Sequence, residues 1–103
     1  SAFAWWTDTM LRNEIICYSN IEEIPDKATM EMVKSQNIKS ILAVPIFING
    51  KSFGFIGFDD CVHYREWRQE DIDSLLSLSR IISMVTERKH AIVPFTTVSA
   101  MLF

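Results

Sequence analysis

The sequence predicts an α+β fold built around an antiparallel β-hairpin that is covered on both faces. Two apolar runs between Lys39 and Asp60 meet at Asn49-Gly50, a pair that tolerates the positive φ angles of a type I′ hairpin turn. Neither run alternates with polar residues, so both faces of the hairpin must be buried. A long amphipathic pattern follows, and a helix of this kind can cover one sheet face.

The second strand of the hairpin gives an expectation for each face. Alternation places Phe53 and Phe55 on one side and Ile56 and Phe58 on the other. Gly54 and Gly57 have no side chains, which leaves room for another group to approach the backbone closely. We therefore expect helices, or a ligand pocket, on each face of the sheet.

The long helix is predicted from Glu70 to Arg88. Residues on spacings of three and four form its apolar stripe, namely Ile72, Leu75, Leu76, Ser79, Ile82 and Val85. Further apolar residues widen the stripe beyond what one sheet face needs, and the candidates for a contact with the same helix of a second chain are Leu78, Ile81, Met84 and Val85. The alternative is a helix buried deeply within its own fold.

Three shorter elements precede the hairpin. We expect a helix from Trp5 to Arg12 and a strand from Glu14 to Tyr18 with Ile15 and Cys17 on one face. A second helix should run from Pro25 to about Gln36.

The order of motifs resembles the C-terminal two-thirds of a GAF domain, over roughly Trp5 to Lys89. The resemblance rests on an ordered series: Ile24-Pro25, the segment Asn37 to Ile46 with Ser40 and Pro45, Asn49-Gly50, Gly54 to Asp59, Trp67, Glu70-Asp71 and Leu75-Leu76. It implies a sensory or regulatory module with an antiparallel sheet, the terminal helices on one face and a small-molecule pocket on the other. The Pro25 to Gln36 helix would close that pocket.

The resemblance also sets expectations about organisation. A complete domain of this family opens with a helix and two strands that have no counterpart here, so we expect residues 1–90 to be a partial GAF-like domain, truncated at its N-terminus. The missing first strand would lie beside Phe53 to Phe58. Residues 91–103 form an apolar tail of unclear role. The tail is rich in β-formers and could fold back into the vacant place or pair with a partner chain.

Composition argues against two classes of protein, those that bind nucleic acids and those that span a membrane. The 103 residues carry a net charge of −3 with both signs interspersed, which argues against a nucleic-acid partner because phosphate binding requires a basic face. No apolar run is long enough for a membrane span. Cys17 and Cys61 follow no recognised spacing, which favours free thiols in the cytoplasm.

The sequence gives little support for a catalytic site. Cys61 and His63 could be two metal ligands or a thiol–imidazole pair, but a structural zinc site needs four donors, and ordinary loop residues are the better interpretation. The alternative function is a GAF-fold thiol enzyme that reduces free methionine sulfoxide. Enzymes of that branch use cysteines in the loop that corresponds here to Lys34 to Ile38, which contains no thiol. We therefore name no catalytic residue, no metal ligand and no cofactor.

The favoured hypothesis is a non-catalytic sensory or regulatory module of a bacterial-type signal-transduction protein. It would bind a small molecule, form a homo-oligomer, or both, and serve an effector domain of its parent protein. Aromatic and methionine side chains give shape and adaptability to such a pocket, and the candidates are Trp5, Trp6, Tyr18, Met30, Met32 and Val33. The alternative is that these side chains only fill the core.

Overall fold

The computed structural model describes residues 2–89 and 96–102, with side chains for residues 3–87. Its elements in chain order are α1 (Ala2–Leu11), β1 (Ile16–Tyr18), a 3₁₀ turn (Ile21–Glu23), α2 (Lys27–Ser35), β2 (Ser40–Ile48), β3 (Lys51–Asp60), α3 (Gln69–Lys89) and β4 (Thr96–Leu102). The described strands form one sheet in the order β1-β2-β3-β4. The first three are antiparallel, so the predicted α+β class with an antiparallel sheet is confirmed.

The hairpin turn has the predicted geometry. Asn49 and Gly50 adopt φ angles of 52° and 76°, the pair of left-handed residues that a type I′ turn requires. The Asn49 backbone N–H donates to the Glu87 carboxylate at 3.1 Å, so α3 also holds the turn in place.

Both faces of the hairpin are buried, as predicted. Leu42, Val44 and Ile46 point from β2 towards α3, and none exposes any measurable surface. Ile41 and Ala43 point to the opposite face, where they pack with α1 and α2. Burial on two sides explains why β2 reads as a continuous apolar run rather than as an alternating one.

The expectation that Phe53 and Phe55 share a face is wrong. The β2–β3 register shifts between Ile46 and Phe47, which leaves Phe53 as the extra residue of a β-bulge. Phe53 therefore packs on the α3 face, whereas Phe55 packs on the opposite face. Alternation predicts the face of a residue only while the register is unbroken.

Capping residues set the limits of α2. The Asp26 side chain accepts the backbone N–H of Thr29 at 3.0 Å, so the helix begins at Lys27, two residues later than the Pro25 start expected from the sequence. Asn37 lies just beyond the helix with φ at 62°. Asparagine tolerates this left-handed conformation, which lets the chain turn sharply into β2.

Side-chain hydrogen bonds fasten α3 to β2. Leu75 is fully buried against the sheet, and the Ser79 hydroxyl donates to the Pro45 carbonyl oxygen at 2.9 Å. One turn later, the Ser83 hydroxyl donates to the Phe47 carbonyl oxygen at 2.7 Å. The two serines thus fix the position of α3 along β2, and apolar side chains such as Leu75 fill the space between the helix and the sheet.

The tail contributes a strand. β4 pairs in parallel with β3, from Gly54 opposite Thr96 to Asp60 opposite Leu102. The backbone of β4 therefore lies beside β3, where the missing first strand of the family would lie. This is the position expected if the tail folds back within the same chain. Residues 90–95 and 103 lie outside the described part of the chain.

Candidate ligand-binding cavity

A cavity of about 680 Å³ lies between α1, the end of α2 and the sheet face opposite α3. Most of its lining is apolar, and the lining residues are Phe3, Trp6, Thr7, Met32, Val33, Gln36, Ile38, Ile41, Ala43, Phe55, Gly57 and Asp59. Small-molecule sites in proteins typically occupy about 300–1,000 Å³, and they combine apolar walls with a few polar groups. The size and lining of this cavity are both those of a small-molecule site.

One face of α1 forms a wall of the cavity. Phe3, Trp6 and Thr7 follow the spacing of three and four residues that places side chains on one side of a helix. The Trp6 ring meets the Phe55 ring edge to face, with centroids 5.0 Å apart and an interplanar angle of 61°. This contact joins α1 to β3 across the cavity wall.

Trp6 also carries a polar group without a partner. The residue is only 7% exposed, and its indole Nε1 is buried without a hydrogen-bond acceptor among the described residues. A buried donor left unpaired costs about 1–3 kcal/mol, so most proteins satisfy such groups. The wall of the cavity therefore contains a buried donor that no described residue satisfies.

Asp59 brings a carboxylate to the same cavity. The side chain is half-buried, and burial raises the pKa of Asp59 above its ordinary value. Across residues 3–87, no cation or N–H group lies within hydrogen-bonding distance of this carboxylate. An acidic group on a largely apolar wall thus lacks, among these residues, the compensation that buried charges normally have.

The absence of a side chain at Gly57 serves the sheet rather than a ligand. A Cβ atom placed there would lie 2.6 Å from the carbonyl oxygen of Leu42 on the neighbouring strand. The group that approaches this glycine is therefore β2. The sequence indicated a close approach at Gly57 but could not identify the partner.

The cavity contains three of the six side chains proposed from the sequence. Trp6, Met32 and Val33 line it. Trp5, Tyr18 and Met30 pack against the same core without being part of the lining.

Sequence reasoning named none of the β-strand residues that line the cavity. The missed strand residues are Ile41, Ala43, Phe55, Gly57 and Asp59. All five have odd numbers, and alternation alone places them on the face away from Leu42 and Ile56. That pattern would have identified Asp59 as a carboxylate on an apolar face.

A second polar cluster, the Asp60 cluster, closes the end of the sheet. Asp60 is fully buried, and its carboxylate accepts the backbone N–H groups of Val62 at 2.9 Å and His63 at 2.8 Å. The same carboxylate accepts Arg65 Nε at 2.9 Å. The hydrogen bond from the His63 backbone, followed by those from Val62 and Arg65, lowers the pKa of Asp60 to about 2 despite burial.

Ser40 completes the Asp60 cluster from the adjacent strand. Its buried Oγ accepts the Arg65 backbone N–H at 2.7 Å and lies 2.5 Å from the Ser19 carbonyl oxygen, to which it can donate. Ser40 and Asp60 are register partners at one end of the hairpin. Together they fix the loop that carries the chain from β3 to α3, so the cluster is structural.

The described residues offer no candidate metal centre. No group of three or more His, Cys, Asp or Glu side chains is placed to hold a metal ion within residues 3–87. Burial, reinforced by the negative charge of Asp71, raises the pKa of the Cys17 thiol, which disfavours the reactive thiolate. None of the described helices has the length and hydropathy needed to cross a bilayer.

The outer side of α3 carries an apolar patch, the α3 patch. It consists of Leu78, Ile81, Met84 and Val85, which are 41%, 55%, 56% and 48% exposed, respectively. The sheet-facing side of the helix is buried through Leu75. The four residues proposed from the sequence as a dimer contact thus all lie on the surface of the single chain.

Comparison with known proteins defines the class. The family model of the GAF domain matches residues 7–85, which is most of the chain. The chain therefore belongs to the GAF domain family. This result confirms the resemblance found in the sequence.

The chain is similar to part of a regulatory histidine kinase and to solved GAF domains. The chain is 40% identical over 55 residues to the methanogenesis regulatory histidine kinase FilI of Methanothrix harundinacea (strain 6Ac), a match that covers 53% of this chain and 6% of the kinase. GAF3 of Slr1393 from Synechocystis sp. PCC6803, in its photoproduct state, superposes with a TM-score of 0.76 at 14% identity, covering 87% of this chain and 59% of that one. The blue-light-absorbing form of the PixJ GAF domain from Thermosynechococcus elongatus gives a TM-score of 0.72 at 22% identity, covering 82% and 51%.

Proposed function

We propose that this chain is a non-catalytic sensory module that binds a small molecule in the cavity between α1, α2 and the sheet. The observation that carries the proposal is the cavity itself, whose 680 Å³ volume and largely apolar lining suit a small organic ligand. Membership of the GAF domain family supports the sensory role. The kinase relative supports an effector domain elsewhere in the parent protein, and the free thiols support a cytoplasmic location.

A thermal-shift screen with metabolites and nucleotides tests ligand binding. A molecule that binds only the folded state stabilises it by about 2.7 kcal/mol at a hundredfold excess over its Kd, so its melting temperature should rise. Thr7 is an exposed residue of the cavity wall, and Thr7→Trp should fill the space and abolish the shift.

The matched control for this test lies on the same helix. Ala4 is exposed but is not part of the lining, so Ala4→Trp should leave the shift intact. A screen without hits would contradict ligand binding by this chain. Hits that Thr7→Trp does not affect would contradict the position of the site.

We also propose that the α3 patch joins two copies of the chain. Four apolar side chains that are 41–56% exposed on one side of a helix form a surface that a second identical helix can cover. The patch lies on the side of α3 away from the sheet, whereas the cavity lies on the sheet face opposite α3, so the two surfaces do not overlap. Dimerisation through α3 would leave the cavity of each copy free for a ligand.

Sedimentation velocity over a hundredfold range of micromolar concentration tests the dimer. The wild-type chain should change from monomer to dimer as the concentration rises, and Ile81→Glu should remain monomeric because it places a charge in the interface. Ala28→Glu adds the same charge to the exposed first turn of α2 and should leave the dimer intact. A wild-type monomer at every concentration would contradict the interface.

A further inference from the structure

A second opening in the surface, the polar cleft, lies beside the end of α2. It has a volume of about 340 Å³ and lies between the 3₁₀ turn, the end of α2, the residues that precede β2 and the loop after β3. Its lining includes two lysines and two asparagines, and it shares only Ile38 with the apolar cavity. A lining of this composition suits a charged ligand better than an apolar one.

Backbone hydrogen bonds hold the walls of the polar cleft in place. The Ile21 N–H donates to the Lys39 carbonyl oxygen at 3.0 Å, and the Lys39 N–H donates to the Asp60 carbonyl oxygen at 2.8 Å. Ile21 and Ile38 are buried in the lining. Lys39 therefore joins the 3₁₀ turn to the sheet, and the polar cleft has its shape before any ligand binds.

Lys39 brings a cation to the polar cleft. The residue is half-buried, and its Nζ lies 5.2 Å from the centroid of the Tyr64 ring, which also lines the cleft. Among residues 3–87, no carboxylate forms an ion pair with this ammonium group. The ring orients the side chain through a cation–π contact, and the N–H groups of the ammonium remain able to donate to a ligand.

Two asparagines add neutral donors. The Asn20 Oδ1 accepts the backbone N–H of Glu22 at 3.0 Å, which leaves the NH₂ group of Asn20 to donate elsewhere. The side-chain amide of Asn37 has no hydrogen-bond partner in the part of the chain with described side chains. A cation with N–H donors beside it is the arrangement that binds a carboxylate or a phosphate.

Two features of the polar cleft would oppose an anion, and each already has a partner. The Glu22 carboxylate lies in the lining, 3.1 Å from Lys34 Nζ. The C-terminal end of a helix carries partial negative charge, but here the Lys34 carbonyl oxygen accepts the Asn37 N–H at 3.0 Å. Two lysines against one glutamate leave the lining with a net charge of +1.

We propose that the polar cleft binds the anionic group of a small molecule, a carboxylate or a phosphate monoester, through Lys39 Nζ and the side-chain amides of Asn20 and Asn37. The apolar part of such a molecule would contact Ile38 and the Tyr64 ring. This second site goes beyond the proposed function, because it does not use the apolar cavity.

Three probes of similar shape test the proposal by NMR titration of the full chain at constant ionic strength. Benzoate and phenyl phosphate carry the two anionic groups, and benzamide is the neutral counterpart of benzoate. We expect benzoate to bind about fivefold more tightly than benzamide, since a hydrogen bond to a charged group is stronger than one to a neutral group. The larger of the two anion affinities identifies the preferred group. The side-chain amides of Asn20 and Asn37 should show the largest shift changes.

Two pairs of variants assign the charges. Lys39→Gln should reduce the affinity ratio of benzoate to benzamide to about one, whereas Lys51→Gln, at an exposed lysine outside the cleft, should preserve it. Glu22→Gln should strengthen benzoate binding severalfold, because it removes a like charge and releases Lys34. Glu23→Gln changes the adjacent exposed carboxylate, which is not part of the lining, and should have little effect. A variant that failed to fold could not produce the gain expected of Glu22→Gln.

The outcomes separate this inference from the proposed function. A preference for anions that is lost in Lys39→Gln and increased in Glu22→Gln supports the second site. Equal affinities of the three probes, no binding of any of them, or a preference that Lys39→Gln does not change would overturn it. Shift changes at Gly57 rather than at Asn37 would place the anion in the apolar cavity and overturn it as well. Thr7→Trp should abolish the hits of the metabolite screen without changing the preference for benzoate, so each site can fail while the other stands.

Discussion

Leu75→Ala should lower the free energy of unfolding by about 2–5 kcal/mol, the range for truncating a buried leucine. Leu75 is fully buried between α3 and the sheet, and the two serines that fasten the helix to β2 limit how far α3 can move to close the resulting cavity. Urea denaturation monitored by circular dichroism measures the change.

The same helix provides the control. Leu78 is 41% exposed, so Leu78→Ala should change the stability of the monomer by no more than about 0.5 kcal/mol. Both variants should be measured at the lowest practical concentration, because Leu78 belongs to the α3 patch. Similar losses for Leu75→Ala and Leu78→Ala would contradict the orientation of α3 on the sheet.

Asp60→Asn should be strongly destabilising although it changes only one atom and one charge. The amide oxygen of asparagine could still accept the N–H groups of Val62 and His63. Its NH₂ group would then face the Arg65 guanidinium, and two donors cannot form a hydrogen bond with each other. We expect the melting temperature to fall by about 5 °C or more, because the change breaks a buried network. Asp8→Asn on the surface of α1 should have little effect.

The stability of the fold should also depend on pH through the ionisation of Asp60. The pKa of Asp60 is about 2 in the folded chain and 3.8 ordinarily, so the folded state favours the ionised form. The resulting stabilisation is complete above about pH 4 and is lost as the pH falls towards about 2.

A comparison of melting curves isolates this contribution. The melting-temperature difference between the wild-type chain and Asp60→Asn should shrink as the pH falls from about 4 to about 2. Contributions from other carboxylates, such as Asp26, cancel in this difference because both proteins contain them. A difference that stays constant from neutral pH to pH 2 would show that Asp60 does not stabilise the fold through its charge.

The helices and the hairpin could be predicted because their signals are local. The Asn49-Gly50 turn follows from the φ angles that these two residues tolerate, and Gln69–Lys89 differs by one residue at each end from the helix expected from spacing alone. The bulge at Phe53 could not be predicted, because nothing in the residue itself marks a shift in the pairing of two strands.

The cavity could be predicted only in part. Spacing along α1 separates Trp6, which lines it, from Trp5, which lies about 100° further round the helix and packs beside it. Aromatic and methionine content alone could not make that distinction. Apolar and aromatic content does not point to Asp59, whereas alternation along β3 places its carboxylate on the cavity face.

The most direct test of the sensory function is to map a ligand from the thermal-shift screen onto the isotope-labelled chain by NMR. We expect the largest chemical-shift changes at the backbone amides of Val33 and Gly57 and at the indole N–H of Trp6, all in the wall of the cavity. Changes concentrated instead at Leu78 and Ile81, with the cavity residues unaffected, would show that the ligand binds the outer side of α3 and would contradict the proposed site.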